Sequence, residues 1–312
     1  MKRTLLLDEE PRVKYLEMGS KQVSAIGLGT WQFGEPGWGW GKEFDNREIE
    51  RIIDRALELG INFFDTAAAY GSGRSEGILG KALRGRRDEA VIATKVAPPL
   101  GPEYVMRAAE QSLRRLGVES VDLYQLHAPD SQMPISATMH AMRQLVDGGQ
   151  VHQVGVSNFG REQWEEAESA LGRPVISNQV QYHLLERSQG RSLLPYASEQ
   201  ERIIIAYSPL AQGLLGGKYG VGNVPQDLRA SFGIFNQDSL KRAPAVLEIL
   251  SEVGGHYGAT PAQVALAWLL LDRQVMVIPG ARSVAQLEAN AAAADLQLTP
   301  GDAMRIEKAT RV

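Results

Sequence analysis

Eight short apolar runs are spread along the chain and restrict the folds that it can adopt. Most of them are nearly continuous in aliphatic residues, which is typical of parallel strands covered by helices on both faces. Amphipathic segments with helix-boundary signals lie between them, such as Thr260 before Pro261 and Gly117 after Leu116. The predicted strands are residues 24–30, 61–66, 90–95, 121–127, 151–158, 175–182, 202–210 and 275–280.

The spacing of these runs predicts a closed barrel. The first seven begin 24 to 37 residues apart, which suits one βα unit each, and the eighth follows a glycine-rich loop and two further helical patterns. We therefore expect an α/β fold, a (β/α)8 TIM barrel with an N-terminal β-hairpin around Gly19 and extra helices and loops between strands seven and eight. The alternative is an open doubly wound sheet, but its Gly-x-Gly-x-x-Gly turn is missing after the first strand. Without a linker rich in Pro or Ser, residues 1–312 are expected to form a single domain, in which residues 1–11 are an extension of unknown role.

Composition and charge exclude several classes of function. The chain has no cysteine, which excludes disulfides, thiol catalysis and cysteine-bound metal, and we expect no metal site. Its formal net charge is −4 and it has no basic cluster, so no nucleic-acid partner is expected. No apolar run approaches the roughly 20 residues that span a bilayer, and "MKRTLLLDEE" fails as a signal peptide. We expect a cytoplasmic protein without membrane contact, whose oligomeric state the sequence leaves open.

Polar residues stand at or near the carboxyl ends of successive predicted strands. In a barrel these ends meet at one mouth, where the chemistry takes place. Each residue by itself is explained more simply as a surface ion pair or a satisfied hydrogen-bonding group. Their repetition favours a functional site instead; the residues are Asp65, Lys95, His127, Ser157, Asn158, Gln179 and Tyr207.

Four side chains form a proton-delivery set in this interpretation: Asp65, Lys95, His127 and Tyr70, which follows Asp65 by five positions. A phenol with a pKa of about 10 is a poor proton donor near neutrality. An ammonium about 4 Å away is predicted to lower that pKa by up to about three units, while Asp65 keeps Lys95 charged. A neutral His127 can hydrogen-bond a carbonyl oxygen. With neither a nucleophile nor a metal, such a set needs a hydride source, which implies a nicotinamide cofactor.

The chain resembles the aldo-keto reductase superfamily, as an NADPH-dependent bacterial-type member, from about Val13 to its C-terminus. Matching blocks occur in order, among them "GLGTW", "DTAAAYG", "DLYQLHAPD", "GQVHQVGVSNF" and "IPGARSVAQLEAN". The resemblance implies that Tyr70 is the general acid, Lys95 lowers its pKa, Asp65 anchors the lysine and His127 orients the substrate. It implies reversible, NADPH-dependent reduction of aldehydes or ketones to alcohols. The substrate is expected to be a small carbonyl compound whose identity the sequence does not predict.

The resemblance also implies the NADPH-binding residues. Ser157, Asn158 and Gln179 would hold the nicotinamide carboxamide, and Tyr207 would stack on the ring. The glycines of "SPLAQGLLGGKY" suit a loop close to the pyrophosphate, with Lys218 as a phosphate contact. The full predicted set is Gly29, Thr30, Trp31, Asp65, Ser157, Asn158, Gln179, Tyr207, Ser208, Leu210, Gln212, Gly213, Lys218, Gly280, Arg282, Gln286 and Asn290.

The block "PGARSVAQLEAN" predicts an anion site independently of the resemblance. Ser283 is a natural N-cap and Gln286 would complete a capping box. A helix N-terminus after the eighth strand of a barrel is a common phosphate site, and Arg282 there can bind a phosphate through two hydrogen bonds. In the family this block holds the adenosine 2′-phosphate, with Gln286 and Asn290 near the adenine, which favours NADPH over NADH.

Three tryptophans in the loop after the first strand, Trp31, Trp38 and Trp40, predict an apolar wall of the substrate pocket beside Tyr70 and His127. The alternative is that they pack on the outer helices. The irregular insert 222–239, with Phe232 and Phe235, is predicted to form another loop at the mouth.

Two other functions remain open from the sequence. One is a non-catalytic nucleotide-binding sensor or partner subunit, which would retain the same four residues. The other is a Schiff-base lyase through Lys95, which needs a neutral amine and is disfavoured by the neighbouring Asp65.

Overall fold

The computed structural model describes residues 14–231 and 233–311. The described part begins with an antiparallel hairpin of β1 (Tyr15–Met18) and β2 (Lys21–Ser24), as predicted. Its turn passes through Gly19 at φ +62°, a backbone conformation that glycine adopts without strain.

Eight parallel strands form the predicted barrel in chain order. Parallel bridges from Ile26 to Val277 and from Gly29 to Gly280 join the first and last of these strands. The fold is therefore (β/α)8, with the hairpin at its N-terminus. The barrel strands are β3 (Leu28–Gly29), β4 (Phe63–Asp65), β5 (Val91–Val96), β6 (Val121–Leu126), β7 (Val151–Ser157), β8 (Val175–Gln181), β9 (Ile203–Tyr207) and β10 (Val275–Val277).

Helices surround the strands, and two of them fill the long connection between β9 and β10, as expected. No helix in the described part of the chain is long and apolar enough to cross a membrane. The helices are α1 (Asn46–Glu58), α2 (Arg74–Ala82), α3 (Pro102–Leu116), α4 (Ile135–Asp147), α5 (Arg161–Leu171), α6 (Ser188–Glu199), α7 (Gln237–Tyr257), α8 (Pro261–Leu269), α9 (Val284–Ala291) and α10 (Pro300–Ala309).

The core explains why the strands are apolar on both faces. Neighbouring strand residues point to opposite sides of a sheet, and both Phe63 and Phe64 of β4 are fully buried. Alternate residues of the strand therefore face the barrel interior and the surrounding helices.

Seven of the eight strands are shorter than predicted, and the first, second, seventh and eighth differ most; the second, predicted at 61–66, is only Phe63–Asp65. Ser24 belongs to the hairpin, so the first barrel strand is only Leu28–Gly29. The last strand ends at Val277, and Pro279 beyond it has no backbone N–H to donate to a neighbouring strand. The predicted seventh strand ends at Tyr207 because Ser208 takes φ +50°, which no strand tolerates.

Candidate active site

The structure brings Asp65, Lys95 and Tyr70 together at the carboxyl ends of β4 and β5. The Lys95 Nζ donates hydrogen bonds to Asp65 Oδ1 at 2.6 Å, to the Thr66 carbonyl at 2.9 Å and to Tyr70 Oη at 3.1 Å. The lysine is 0% exposed and the aspartate 1% exposed. A buried ion pair therefore supports the phenol from beneath.

The loop after β4 folds Tyr70 back towards this pair. Tyr70 begins a short 3-10 segment in which Gly71, Ser72 and Gly73 all take positive φ, at +55°, +57° and +87°. A Cβ atom on Gly71 would lie 2.9 Å from the Gly34 carbonyl oxygen, so the reversal needs glycine there. This turn explains why the phenol stands five positions after the aspartate.

Asp65 is also held by two amides. Its Oδ2 accepts hydrogen bonds from Gln179 Nε2 at 2.9 Å and from Gln125 Nε2 at 3.2 Å. Burial by itself lowers the pKa of Lys95, but the charges of Asp65 and Tyr70 and their hydrogen bonds raise it above its ordinary value overall. Lys95 is therefore an ammonium at neutral pH.

The protonation of Tyr70 differs from the sequence expectation. Its burial raises the pKa of the phenol, and this effect exceeds the lowering by the Lys95 charge; the Asp65 charge raises it further. The expected fall of the Tyr70 pKa towards 7 is therefore wrong for this structure. The physical reason is the cost of forming a phenolate out of water, and Tyr70 stays protonated at neutral pH.

His127 approaches Tyr70 edge-on, with ring centroids 5.8 Å apart. Burial lowers the pKa of His127 to about 3, and the Lys95 charge lowers it as well. The imidazole is therefore neutral near pH 7. Its Nδ1 is buried and finds no hydrogen-bond partner among the described residues, which suggests that a ligand completes the site.

A cavity of about 600 Å³ extends from this mouth along the ends of β7–β10. The predicted substrate residues Trp31, Trp38, Tyr70 and His127 line it, whereas Lys95 lies beneath it. Every residue predicted to bind the cofactor lies on its wall: Gly29, Thr30, Trp31, Asp65, Ser157, Asn158, Gln179, Tyr207, Ser208, Leu210, Gln212, Gly213, Lys218, Gly280, Arg282, Gln286 and Asn290.

Next to Tyr70, the predicted carboxamide-binding residues bond to one another. Asn158 Nδ2 donates to the His127 carbonyl at 3.2 Å and to Ser157 Oγ at 3.1 Å, and Tyr207 Oη donates to Asn158 Oδ1 at 3.1 Å. Ser157 Oγ in turn donates to the Gln179 carbonyl at 2.8 Å. These bonds fix the polar atoms on the cavity wall.

The loop after β9 is strained where it meets the cavity. Ser208, Ala211 and Gln212 take φ +50°, +48° and +54°, in the left-handed region that residues other than glycine rarely adopt. The Gln212 Oε1 atom is buried without a hydrogen-bond partner in the described part of the chain. Strain and an unsatisfied polar atom are both typical of a site that a ligand completes.

At the far end of the cavity, Ser283 caps α9 by accepting a hydrogen bond from the Gln286 N–H at 3.3 Å. The predicted capping box is wrong, because only one of its two hydrogen bonds forms. Gln286 Oε1 accepts from the Arg282 N–H at 2.9 Å, and no reciprocal bond to the Ser283 N–H forms because the glutamine reaches one residue further back. The Arg282 guanidinium faces the cavity and pairs with Glu43 at 2.6 Å.

Two of the three loop tryptophans form the predicted wall. Trp31 stacks on Tyr70 with ring centroids 6.0 Å apart, and Trp38 meets Trp31 edge-on at 5.0 Å. Trp40 does not line this cavity, contrary to the prediction, and its indole N–H donates to Asn46 at 3.0 Å. Gly39 and Gly41, at φ +91° and +82°, reverse the chain on both sides of Trp40 and direct it to α1.

The insert 222–239 matches its prediction only in part. Arg229 lines the cavity, pairs with Asp227 and lies over the rings of Trp38 and Tyr219. Phe235 packs edge-on against Tyr219 and is not part of the cavity wall. Phe232 lies outside the described residues.

Sequence reasoning missed several residues of the site, among them the polar residues Gln125, Gln32 and Arg229. Gln125 lies on β6, two positions before His127, which directly follows the strand. Residues two apart on a strand share a face, so this spacing could have predicted that Gln125 faces the site. Gln32 bridges the Gly29 and Ala281 carbonyls at 3.1 and 2.9 Å, and Arg229 comes from an irregular insert. Neither of these two carried a sequence signal.

The groups on the cavity wall fit nicotinamide adenine dinucleotide phosphate. The wall carries fixed amide and hydroxyl groups beside Tyr70, the strained loop after β9 with its unsatisfied Gln212 oxygen, and Arg282 just before the N-terminus of α9. One cavity thus combines an aromatic surface, hydrogen-bonding groups and an anion site.

The chain belongs to the aldo/keto reductase family, whose model matches residues 25–311, and the resemblance expected from the sequence is confirmed. An uncharacterized oxidoreductase of Mycobacterium tuberculosis is 47% identical over 289 residues, which cover 92% of this chain and 90% of that protein. A glycerol dehydrogenase from Gluconobacter oxydans has a similar structure, with a TM-score of 0.85 at 30% identity over 95% of this chain and 94% of that one. An aldo-keto reductase from Klebsiella pneumoniae, solved in complex with NADPH, has a TM-score of 0.76 at 30% identity over 95% of both chains. The family and these relatives indicate an oxidoreductase and support carbonyl reduction in general.

Proposed function

We propose that this protein catalyses the reversible, NADPH-dependent reduction of small aldehydes or ketones to alcohols, with Tyr70 as the general acid. The observation that carries the proposal is the 3.1 Å contact between the Tyr70 phenol and the buried Lys95 ammonium at the mouth of the cavity. NADPH, when bound, supplies the hydride from its nicotinamide ring.

Tyr70 is the proton donor because it is protonated at neutral pH and stands at the mouth. As its proton passes to the carbonyl oxygen, a phenolate forms beside the Lys95 ammonium. The attraction between these charges is absent in the protonated phenol, so Lys95 stabilises the transition state more than the ground state. Asp65 and the Thr66 carbonyl keep the ammonium aimed at the phenol.

His127 orients the carbonyl in this proposal. Its neutral ring stands edge-on to Tyr70, and a neutral imidazole can donate one hydrogen bond to the oxygen that Tyr70 protonates. Two donors that converge on one oxygen also polarise the carbonyl bond.

Tyr207 would hold the nicotinamide ring of the cofactor by stacking, and Arg282 would hold its 2′-phosphate. Ser157, Asn158 and Gln179, which line the cavity, would hold the nicotinamide carboxamide, and Lys218 and Gln212 would lie near the pyrophosphate. The NADPH complex of the Klebsiella pneumoniae relative supports this cofactor.

Replacement of Tyr70 by Phe tests the proposal. The variant retains the ring that stacks on Trp31 but lacks the transferable proton, so kcat for carbonyl reduction should fall by about 10³-fold or more, while the Kd for NADPH changes less than about threefold. The control is Tyr104→Phe, because Tyr104 is exposed on α3.

Near wild-type turnover in the Tyr70→Phe variant would show that another group delivers the proton. If the wild-type protein bound NADPH but reduced no member of a panel of aromatic and aliphatic aldehydes and ketones, a nucleotide-binding role without catalysis would replace the proposal.

A further inference from the structure

Arg282, the cation at the far end of the cavity, is already engaged by a carboxylate from the loop after β3. Its Nη1 donates to Glu43 Oε2 at 2.6 Å and to the Trp38 carbonyl at 3.2 Å. Its Nε and Nη2 donate to no other group in the described part of the chain. The Arg282 side chain is 16% exposed and that of Glu43 is 60% exposed.

The local backbone fixes Glu43 in this position. The Glu43 N–H donates to the Gly39 carbonyl at 2.8 Å, and the next residue, Phe44, is buried and accepts from the Gly41 N–H at 2.8 Å. A Cβ atom on Gly39 would lie 2.8 Å from the Glu43 carboxyl carbon. Glycine at position 39 therefore leaves the space that the carboxylate occupies beside Arg282.

We propose that Glu43 competes with the 2′-phosphate of the cofactor for Arg282, and thereby sets how strongly this protein prefers NADPH to NADH. The inference rests on the proposed function, in which Arg282 receives that phosphate. It adds a specificity-determining residue that does not itself bind the cofactor.

The charges give the direction of the effect. A phosphate monoester carries about −1.5 to −2 charges at neutral pH, whereas Arg282 offers a single positive charge. The phosphate therefore either displaces Glu43 or shares the guanidinium with a like-charged carboxylate, and both arrangements weaken its binding. A cofactor that lacks the 2′-phosphate leaves the Glu43–Arg282 pair intact.

The size of the effect follows from the distance between the two anions. When both anions contact one guanidinium, the phosphate dianion and the carboxylate lie about 6 Å apart. In a medium close to water, their repulsion lowers the affinity for the phosphate about tenfold. Salt reduces this repulsion, since the screening length is about 10 Å at 0.1 M.

Binding measurements on Glu43→Gln test the proposal without any turnover. Calorimetric titration at low salt would compare 2′-AMP with 5′-AMP, and NADP⁺ with NAD⁺, because each pair differs in the phosphate on the 2′ position. We expect 2′-AMP and NADP⁺ to bind the variant about five- to tenfold more tightly, and 5′-AMP and NAD⁺ to bind within about twofold of wild type. The matched control is Glu288→Gln, which removes the same charge from α9 at a carboxylate that pairs with Arg55.

Arg282→Ala separates failure of this inference from failure of the proposed function. If that variant binds 2′-AMP and NADP⁺ as wild type does, the phosphate assignment in the proposed function is wrong. If Arg282→Ala weakens both ligands but Glu43→Gln binds them unchanged or more weakly, only the role of Glu43 is overturned. A Glu43→Gln gain that persists in the Arg282→Ala background would also overturn it, since the effect would then not pass through the arginine.

Discussion

Replacement of Lys95 by Met removes the cation beneath the phenol while keeping a long side chain of similar volume. The Lys95 Nζ lies 3.1 Å from Tyr70 Oη, and both members of the Lys95–Asp65 pair are essentially fully buried. At an effective dielectric of about 20, an ammonium and a phenolate at that separation attract each other by about 5 kcal/mol. Much of this attraction appears only as the phenolate forms, so we expect kcat for carbonyl reduction to fall by about 10³-fold or more.

The same change should destabilise the fold. It leaves the Asp65 carboxylate buried with only the Gln125 and Gln179 amides as donors, and breaking a buried pair in this way costs about 3–5 kcal/mol. Denaturant unfolding would measure that loss. NADPH binding, followed by fluorescence at low temperature, would show that the variant is folded in the kinetic assay.

Lys81→Met is the control, because Lys81 is an exposed lysine on α2 whose loss should leave both kcat and stability nearly unchanged. A Lys95→Met protein that folds, binds NADPH and retains kcat within about tenfold of wild type would refute the proposed role of the buried ammonium.

Three further predictions concern the pH dependence of kcat, the pH dependence of stability and the turn that carries Tyr70. The pKa of Tyr70 is raised and that of His127 is lowered to about 3, so neither group changes its protonation state between about pH 5 and 9. We therefore expect kcat for reduction to be level over that range. An acid limb near about pH 6.5 that His127→Gln removes would contradict this expectation. The same histidine is neutral in the fold, so its contribution to the free energy of unfolding is complete above about pH 6.5 and is lost as the pH falls towards about 3, which acid titration of wild type and His127→Gln would measure. Gly71→Ala should lower both stability and kcat because the new methyl group meets a carbonyl oxygen at 2.9 Å, whereas Gly85→Ala, at φ +81° with open space around it, should cost only the backbone strain of about 1–2 kcal/mol. Equal losses in urea unfolding of the two glycine variants would show that the contact is unimportant.

Much of the candidate site was predictable because strand ends in a barrel converge. Asp65, Lys95 and His127 each lie at or directly after the end of an apolar run, and that position alone places them at one mouth. Tyr70 needed more than periodicity, since a turn through three left-handed residues brings it back to the lysine.

The errors have a common cause. The fall expected for the Tyr70 pKa considered the lysine charge and left out burial, which no local pattern reveals. Trp40 was grouped with its neighbours in sequence, but the glycines on both sides turn it towards α1. Gln286 bonds the Arg282 N–H because of the shape of one loop.

Local patterns were enough to predict the order of strands and helices, the closed barrel and the set of polar residues at its mouth, because apolar periodicity and helix caps act over a few residues. Which charges meet follows from the three-dimensional fold. Glu43 reaches Arg282 across 239 positions of the chain, Gln179 reaches Asp65 across 114, and the protonation of Tyr70 depends on how much water the packed loops exclude. Those contacts are set by packing between distant segments, and packing of that kind leaves no periodic trace in the sequence.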